Sequence, residues 1–355
     1  MLFVSICNLS FFDTRFNAPH LNQHHLTDNL MQHFDDTSAP NSRREWLKKA
    51  SLMGSALLAG HAPEAAPQPK APVVRRIPIS VSSYSYWHFT PEKFPIENVI
   101  DNAARLGFDG VEVLHRQMAD ESIAYQNKLK RLAFDSGLSM PLLSIHQNFL
   151  QPDLAKRKAD IEHTFKCINI ATQMGIPCVR MNTGSWGTIK NKRQTNYYQT
   201  GIEPPIEGYT DEDGIKWVID GMGECLKYAE KAGVVLALEN HWGLSSNTDY
   251  LLRMYNALKS SPAMGLNVDT GNFVGEPYSG LEKLAPYATI VQAKTYYGGG
   301  TFYDKEMDYT RIGKIFQKAN FKGFVSLEFE GKEDPNTAVP KSLEVLRKAF
   351  TYTIG

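Results

Sequence analysis

Val234-Val235-Leu236-Ala237-Leu238-Glu239-Asn240-His241 is an apolar run closed by a carboxylate, and similar runs return three times downstream. Met264-Gly265-Leu266-Asn267-Val268 ends in Asp269, Thr289-Ile290-Val291 leads to Gln292, and Gly323-Phe324-Val325-Ser326-Leu327 ends in Glu328. Short apolar runs separated by helix-length segments read as buried strands of a parallel sheet. A sheet closed into a barrel collects its strand ends on one face, where residues far apart in sequence converge. Glu239, Asp269, Gln292 and Glu328 then read as an oxygen-rich ligand set for a divalent cation, Mn2+ or Mg2+.

Upstream the alternation continues. Strands are predicted over 77–86, 110–114, 140–145 and 177–182, giving eight with the four above. Helices are predicted near 96–106, 122–136, 153–174 (with Gly175 as C-cap), 214–231 and 338–352. Eight strand–helix units predict a single (β/α)8 TIM barrel of the α/β class over residues 77–355. No Gly-x-Gly-x-x-Gly follows the first strand, which argues against a dinucleotide fold.

Composition narrows the function. Lysine plus arginine (38) balances aspartate plus glutamate (38) in 355 residues, so there is no electrostatic footprint for nucleic acid. No apolar run approaches the ~20 residues that span a bilayer. Cys7, Cys167, Cys178 and Cys225 lack Cys-x-x-Cys spacing and read as buried free thiols.

The N-terminal region reads as an address. Ser42-Arg43-Arg44-Glu45-Trp46-Leu47-Lys48-Lys49 precedes a weakly apolar stretch from Ala50 to Gly60, then small residues and an Ala/Pro-rich segment. That order resembles a twin-arginine export signal. Residues 1–62 are therefore expected to be an extension and signal, and 63–76 a linker. Met31 is the expected translation start. The expected location is the periplasm, with the twin-arginine export machinery as a partner and no stable membrane insertion after cleavage.

The barrel segment resembles the xylose isomerase-like sugar phosphate isomerase/epimerase family. The resemblance is carried by Gly107-Phe108-Asp109-Gly110-Val111-Glu112, Leu238-Glu239-Asn240, Val268-Asp269-Thr270-Gly271-Asn272 and Val325-Ser326-Leu327-Glu328. It implies that Glu239, Asp269 and Glu328 hold a divalent metal, with Glu239 and Glu328 also moving protons. A histidine usually stands where this chain has Gln292, and often another where it has Asn272. A neutral glutamine oxygen suits harder ions than imidazole does. The alternative is a Gln292 that only hydrogen-bonds in a barrel without metal, which would leave three carboxylates repelling one another.

Alternation along each strand adds a second set of inward residues. Lys294 shares a face with Gln292, His241 with Glu239, Asn182 with Arg180, and Glu330 with Glu328. His146, Arg180, Asn182, His241, Asn272 and Lys294 are the expected polar contacts to substrate, although Arg180 would also pair with Glu112 in the barrel floor. Trp186 and Trp242 head a group of aromatics after strand ends, with Tyr84, Tyr86, Trp87, Tyr296 and Tyr297. Such rings pack on sugar C–H faces. Gly298-Gly299-Gly300 reads as a lid hinge or a turn.

Proton movement beside a carbonyl is the implied chemistry, on a non-phosphorylated sugar or keto-sugar. β-Elimination from a 3-keto-glycoside shares its first step and is the enzymatic alternative. A non-catalytic sugar-binding protein is the other. The oligomeric state is open.

Overall fold

The computed structural model describes residues 73–354, apart from 88–89, 193–194 and 301–302. The twin-arginine-like stretch, Met31, Cys7 and the linker up to residue 72 lie outside the described residues.

Eight parallel strands close a barrel in chain order. They are β2 (Ile79–Ser82), β3 (Gly110–Leu114), β4 (Leu143–Ser144), β5 (Cys178–Met181), β6 (Val235–Glu239), β7 (Met264–Asp269), β8 (Ala288–Thr295) and β9 (Val325–Phe329). The helices are α1 (Ile96–Leu106), α2 (Ile123–Asp135), α3 (Leu154–Met174), α4 (Tyr197–Thr200), α5 (Asp211–Ala232), α6 (Thr248–Leu258), α7 (Tyr278–Leu284), α8 (Tyr309–Lys318) and α9 (Pro335–Ala349).

Local chemistry sets these boundaries. Asp153 caps α3 by accepting from Ala155 N at 2.8 Å, and α5 opens on a Thr210/Asp213 capping box. Gly175 ends α3 in the left-handed region at φ 74°, which a side chain would resist. The strand predicted over 77–86 stops at Ser82, where a 3-10 turn, Ser83–Tyr86, takes over.

Alternation divides the barrel into two surfaces. Outward Val81, Val113, Val179, Leu238, Val268, Val291 and Leu327 join the main apolar core with the helices. Inward, Leu142, Cys178, Ala237 and Ile290 make a small apolar floor. Above it Ser82, Ser144, Glu112, Asn267, Gln292 and Ser326 form a buried polar layer. The mouth lies above that.

One element departs from expectation. The end of the predicted linker is strand β1 (Val73–Arg76), paired antiparallel with β10 (Thr351–Ile354) in a separate two-stranded sheet. Nearby, Asp109 accepts from Arg76 (2.7 Å), Arg347 (2.6 Å) and the backbone N–H of Ile79 (2.7 Å). It thereby ties β1 and β2 to the last helix, α9. Cys167, Cys178 and Cys225 are free and buried, as read from the sequence. Among the described residues, no helix is long and apolar enough to cross a membrane.

Candidate active site

A cavity of about 290 Å³ opens at the carboxyl ends of the barrel strands. Glu239, Glu328, Lys294, Arg180, Asn272, His146, His241 and Trp242 line it, as do Tyr84, Arg116, Tyr198, Tyr303 and Glu330. Eight of the expected residues thus meet in one place.

Glu239 is buried at the end of β6. Its Oε1 accepts from Asn272 Nδ2 at 3.0 Å, and its Oε2 lies 3.2 Å from Arg180 Nε. Burial pushes its carboxyl well above the ordinary range, and Arg180 opposes the shift. Arg180 therefore pairs with Glu239 rather than with Glu112, while donating its Nη1 to Ile145 O at 2.9 Å.

Asp269 ends β7 and turns back on its own loop. Its Oδ1 accepts from the backbone N–H of Gly271 (2.7 Å) and Asn272 (3.2 Å). A Cβ at position 271 would collide with the Tyr296 hydroxyl and stand 2.9 Å from Lys294 Cδ, so only glycine fits that turn. Burial raises the Asp269 carboxyl to about 6, against the pull of Lys294.

Lys294 stands among three carboxylates. Its Nζ donates to Glu330 Oε1 at 2.7 Å and to Glu328 Oε2, and lies 3.3 Å from Asp269 Oδ2. Burial raises the Glu330 carboxyl to about 7, again opposed by Lys294.

Gln292 is not at the mouth. Its Nε2 donates to Glu112 Oε1 at 2.8 Å, and its Oε1 accepts from Asn267 Nδ2. Both ends of the amide are engaged in the polar layer below. Strand β8 continues to Thr295, and Lys294, not Gln292, pairs in register with Glu328. Gln292 itself pairs in register with Asp269 on β7, while Lys294 stands opposite Glu328 on β9.

Two further residues sit elsewhere. Asn182 accepts from Gly184 N at 3.0 Å and holds the turn after β5. Trp186 is buried, donates to Asp211 at 3.3 Å and lines a second cavity, anchored beside Glu203, whose Oε2 accepts from Trp186 N at 3.0 Å. The same loop carries α4, which places Tyr198 at the mouth. Tyr198, Trp242 and Tyr303 form a cluster of edge and stacked contacts at 5.0–5.6 Å. Tyr303 Oη donates to Asn272 Oδ1 at 2.9 Å, completing a chain from Tyr303 through Asn272 to Glu239. Tyr198, Tyr303 and Arg116 were not among the sequence candidates: Tyr198 lies in the one-turn helix α4, Arg116 in a 3-10 turn and Tyr303 in a loop, none with a strand to mark its direction. The 298–300 segment is a turn tied to residues 331–333 through Lys332 N to Gly299 O, at 2.9 Å.

The carboxylates fit a divalent cation better than the amide does. Four of them, Glu239, Asp269, Glu328 and Glu330, stand with Arg180 and Lys294, and Arg116 lines the same cavity. Glu239 Oε2 and Asp269 Oδ2 are buried and accept no hydrogen bond. Glu239, Asp269 and Glu328 therefore suit an ion, while the Gln292 amide is engaged by Glu112 and Asn267. Among the described residues, a tighter group of ligand atoms lies on His115, His163 and Cys167, none of which lines the mouth cavity.

A closed parallel barrel with convergent carboxylates and tyrosines at its carboxyl-end mouth defines a (β/α)8 protein built to receive a small polar ligand. The chain belongs to the xylose isomerase-like TIM barrel family, which it matches over residues 100–349. No curated protein matches it by sequence at a significant level. Among solved structures, it is similar to the 3-keto-D-glucoside 4-epimerase of E. coli, with TM-score 0.60 and 16% identity, covering 77% of this chain and 100% of that one. It is similar also to the D-psicose 3-epimerase of Clostridium cellulolyticum H10, with TM-score 0.55 and 15% identity over 77% and 95% of the two chains. A xylose isomerase domain protein of Planctomyces limnophilus gives TM-score 0.55 and 15% identity over 78% and 97%. At such identities the likeness is one of fold.

Proposed function

We propose that this chain is a carbohydrate isomerase or epimerase that moves a proton on the carbon beside a carbonyl. The observation that carries this reading is the placement of Glu239 and Glu328 in one small cavity with Lys294, Arg180 and an aromatic cluster. Two of the similar solved structures are sugar epimerases, which supports the same reading.

The substrate is a one-ring, non-phosphorylated sugar or keto-sugar. A cavity of about 290 Å³ suits a small ligand. Arg180 and Lys294 are already engaged by carboxylates rather than free to bind a phosphate dianion. Trp242, Tyr198 and Tyr303 offer ring faces and edges to sugar C–H groups.

Glu239, Asp269 and Glu328 would hold Mn2+ or Mg2+, which when bound polarises the substrate carbonyl and offsets charge on its oxygen. Glu239 and Glu328 are the acid/base pair. Asn272 holds Glu239 Oε1, leaving Oε2 to face Arg180 and the ligand. Lys294 orients Glu328 by taking its Oε2.

A second reading has one observation in its favour. β-Elimination from a 3-keto-glycoside begins with the same proton abstraction and then needs an acid for the leaving group. Glu330, raised to about 7 by burial, is such an acid.

Incubation with keto-sugars and 3-keto-glycosides in D2O with Mn2+, read by NMR, tests both. Solvent deuterium in an epimer or isomer supports the first reading, and an unsaturated sugar the second. Binding without exchange would mean a sugar-binding protein and overturn both.

The twin-arginine-like Arg43-Arg44 would send the folded chain to the periplasm. Replacing both with lysine should retain it in the cytoplasm; continued export on fractionation would refute this route.

A further inference from the structure

The 3-10 turn His115–Gln117, which follows β3, faces helix α3. Helix α3 presents His163 and Cys167 one turn apart, on one face. A ring nitrogen of each histidine and the Cys167 sulfur all lie within 4.8 Å of one another. Glu121 stands beside the group, with Oε1 2.8 Å from His115 Nε2.

We propose that His115, His163 and Cys167, with Glu121 as fourth donor, form a zinc site that joins the end of β3 to α3, beside the barrel mouth but sharing none of its carboxylates.

The distances fit shared coordination. Zinc takes nitrogen at about 2.0–2.1 Å and sulfur at about 2.3 Å, so tetrahedral neighbours of these two kinds stand about 3.5 Å apart. His163 Nε2 and Cys167 Sγ are 3.6 Å apart. His115 Nε2 is close to Glu121 Oε1, yet it is buried with no aligned hydrogen bond.

The donor chemistry selects the ion. Two imidazoles, one thiolate and one carboxylate make a borderline-soft set that favours zinc, whereas the all-carboxylate mouth favours Mn2+ or Mg2+. The two sites are thereby sorted by ligand type. The other oxygen of Glu121 is held by Lys166, the outer contact that fixes a ligating carboxylate. A cavity of about 450 Å³ bordered by His115, Glu121 and His163 gives an ion its entry from solvent, with Cys167 buried behind it. The competing arrangement is a thiol–imidazole hydrogen bond beside a histidine–glutamate pair, with no ion.

Cobalt, which reports thiolate ligation by colour, separates the two. The full chain, stripped with a chelator and titrated with Co2+, should develop a near-ultraviolet sulfur-to-cobalt charge-transfer band. Asp269→Asn, altered only at the mouth, should keep that band; Cys167→Ser should lose it. His163→Gln should weaken Co2+ binding at this site by about tenfold or more, the least a lost ligand contact brings. No band in the native chain, or a band that survives Cys167→Ser, overturns the proposal. Because Cys167 is fully buried and its replacement can impair folding, the partly exposed His163 supplies a second measure. Zinc should raise Tm more in the native chain than in His163→Gln. An equal rise in both overturns the proposal as well.

Discussion

Lys294 Nζ lies 3.3 Å from Asp269 Oδ2, deep in the mouth of the barrel. The same ammonium donates to Glu328 and Glu330, so one side-chain cation holds three carboxylates together. Burial alone would lower its pKa, but Asp269, Glu328 and Glu330 hold it well above the usual lysine range.

Lys294→Met should therefore destabilise the protein by about 3–5 kcal/mol, the cost of leaving buried charge without its partner. Mn2+ should restore more stability to the variant than it adds to the native chain, since both cations answer the same carboxylates. Urea unfolding with and without metal measures this. A variant as stable as the native chain would show that the carboxylates are neutral without Lys294.

Gln292→His is a test of where that residue works. A ligand position would gain affinity for softer ions on receiving imidazole. In the polar layer, the change instead disturbs the bonds to Glu112 and Asn267. Stability should fall by about 1.5–3 kcal/mol, with metal affinity at the mouth unchanged. Tighter Zn2+ or Co2+ binding that depends on the introduced imidazole would return Gln292 to the ligand set.

Glu328→Gln keeps an oxygen for an ion but cannot accept a proton. Turnover should drop by about 10²–10⁴-fold while metal content is largely kept. Full activity at full occupancy would leave Glu328 as a ligand only.

Tyr303→Phe removes the hydroxyl that donates to Asn272 Oδ1 and leaves the ring in the aromatic cluster. Asn272 then loses one of the contacts that orient it toward Glu239. The expected result is a fall in kcat of about tenfold, larger than any change in KM, because the variant disturbs the base more than the sugar-packing surface. A change confined to KM would assign Tyr303 to binding alone.

His146 and His241 set a pH dependence. Burial, then the charge of Arg180, holds both well below the ordinary histidine range. The unfolded chain takes up protons near pH ~6.5 while the folded chain does not. Their contribution is thus complete above about pH 6.5 and is lost as pH falls below it, by about 1.4 kcal/mol per pH unit for each histidine. The raised carboxyls of Asp269 and Glu330 act in the opposite direction, so the diagnostic is a difference. His146→Gln should flatten the fall in stability between about pH 6.5 and 5; parallel profiles would count against a neutral, buried His146.

The barrel was legible in the chain itself. Val235–Glu239 and Met264–Asp269 are too short and too evenly apolar for surface elements, and caps at Asp153 and Gly175 mark helix ends by local hydrogen bonding alone. Strand ends therefore pointed to Glu239, Asp269 and Glu328. What the sequence did not carry was register. Gln292 and Lys294 lie two residues apart on the same face of β8, and only the pairing of neighbouring strands sets Gln292 against Asp269 on β7 and Lys294 against Glu328 on β9. Loop positions were equally hidden: Trp186 turns into a second cavity because Glu203 binds its backbone, while Tyr198 and Tyr303 arrive at the mouth from segments with no periodicity. Pairing of β1 with β10 likewise needed both ends of the chain to meet. Local sequence determines which residues form strands and which way alternate side chains face; the stagger between strands and the return of loops are set by packing over long sequence separations, and those decided the composition of the site.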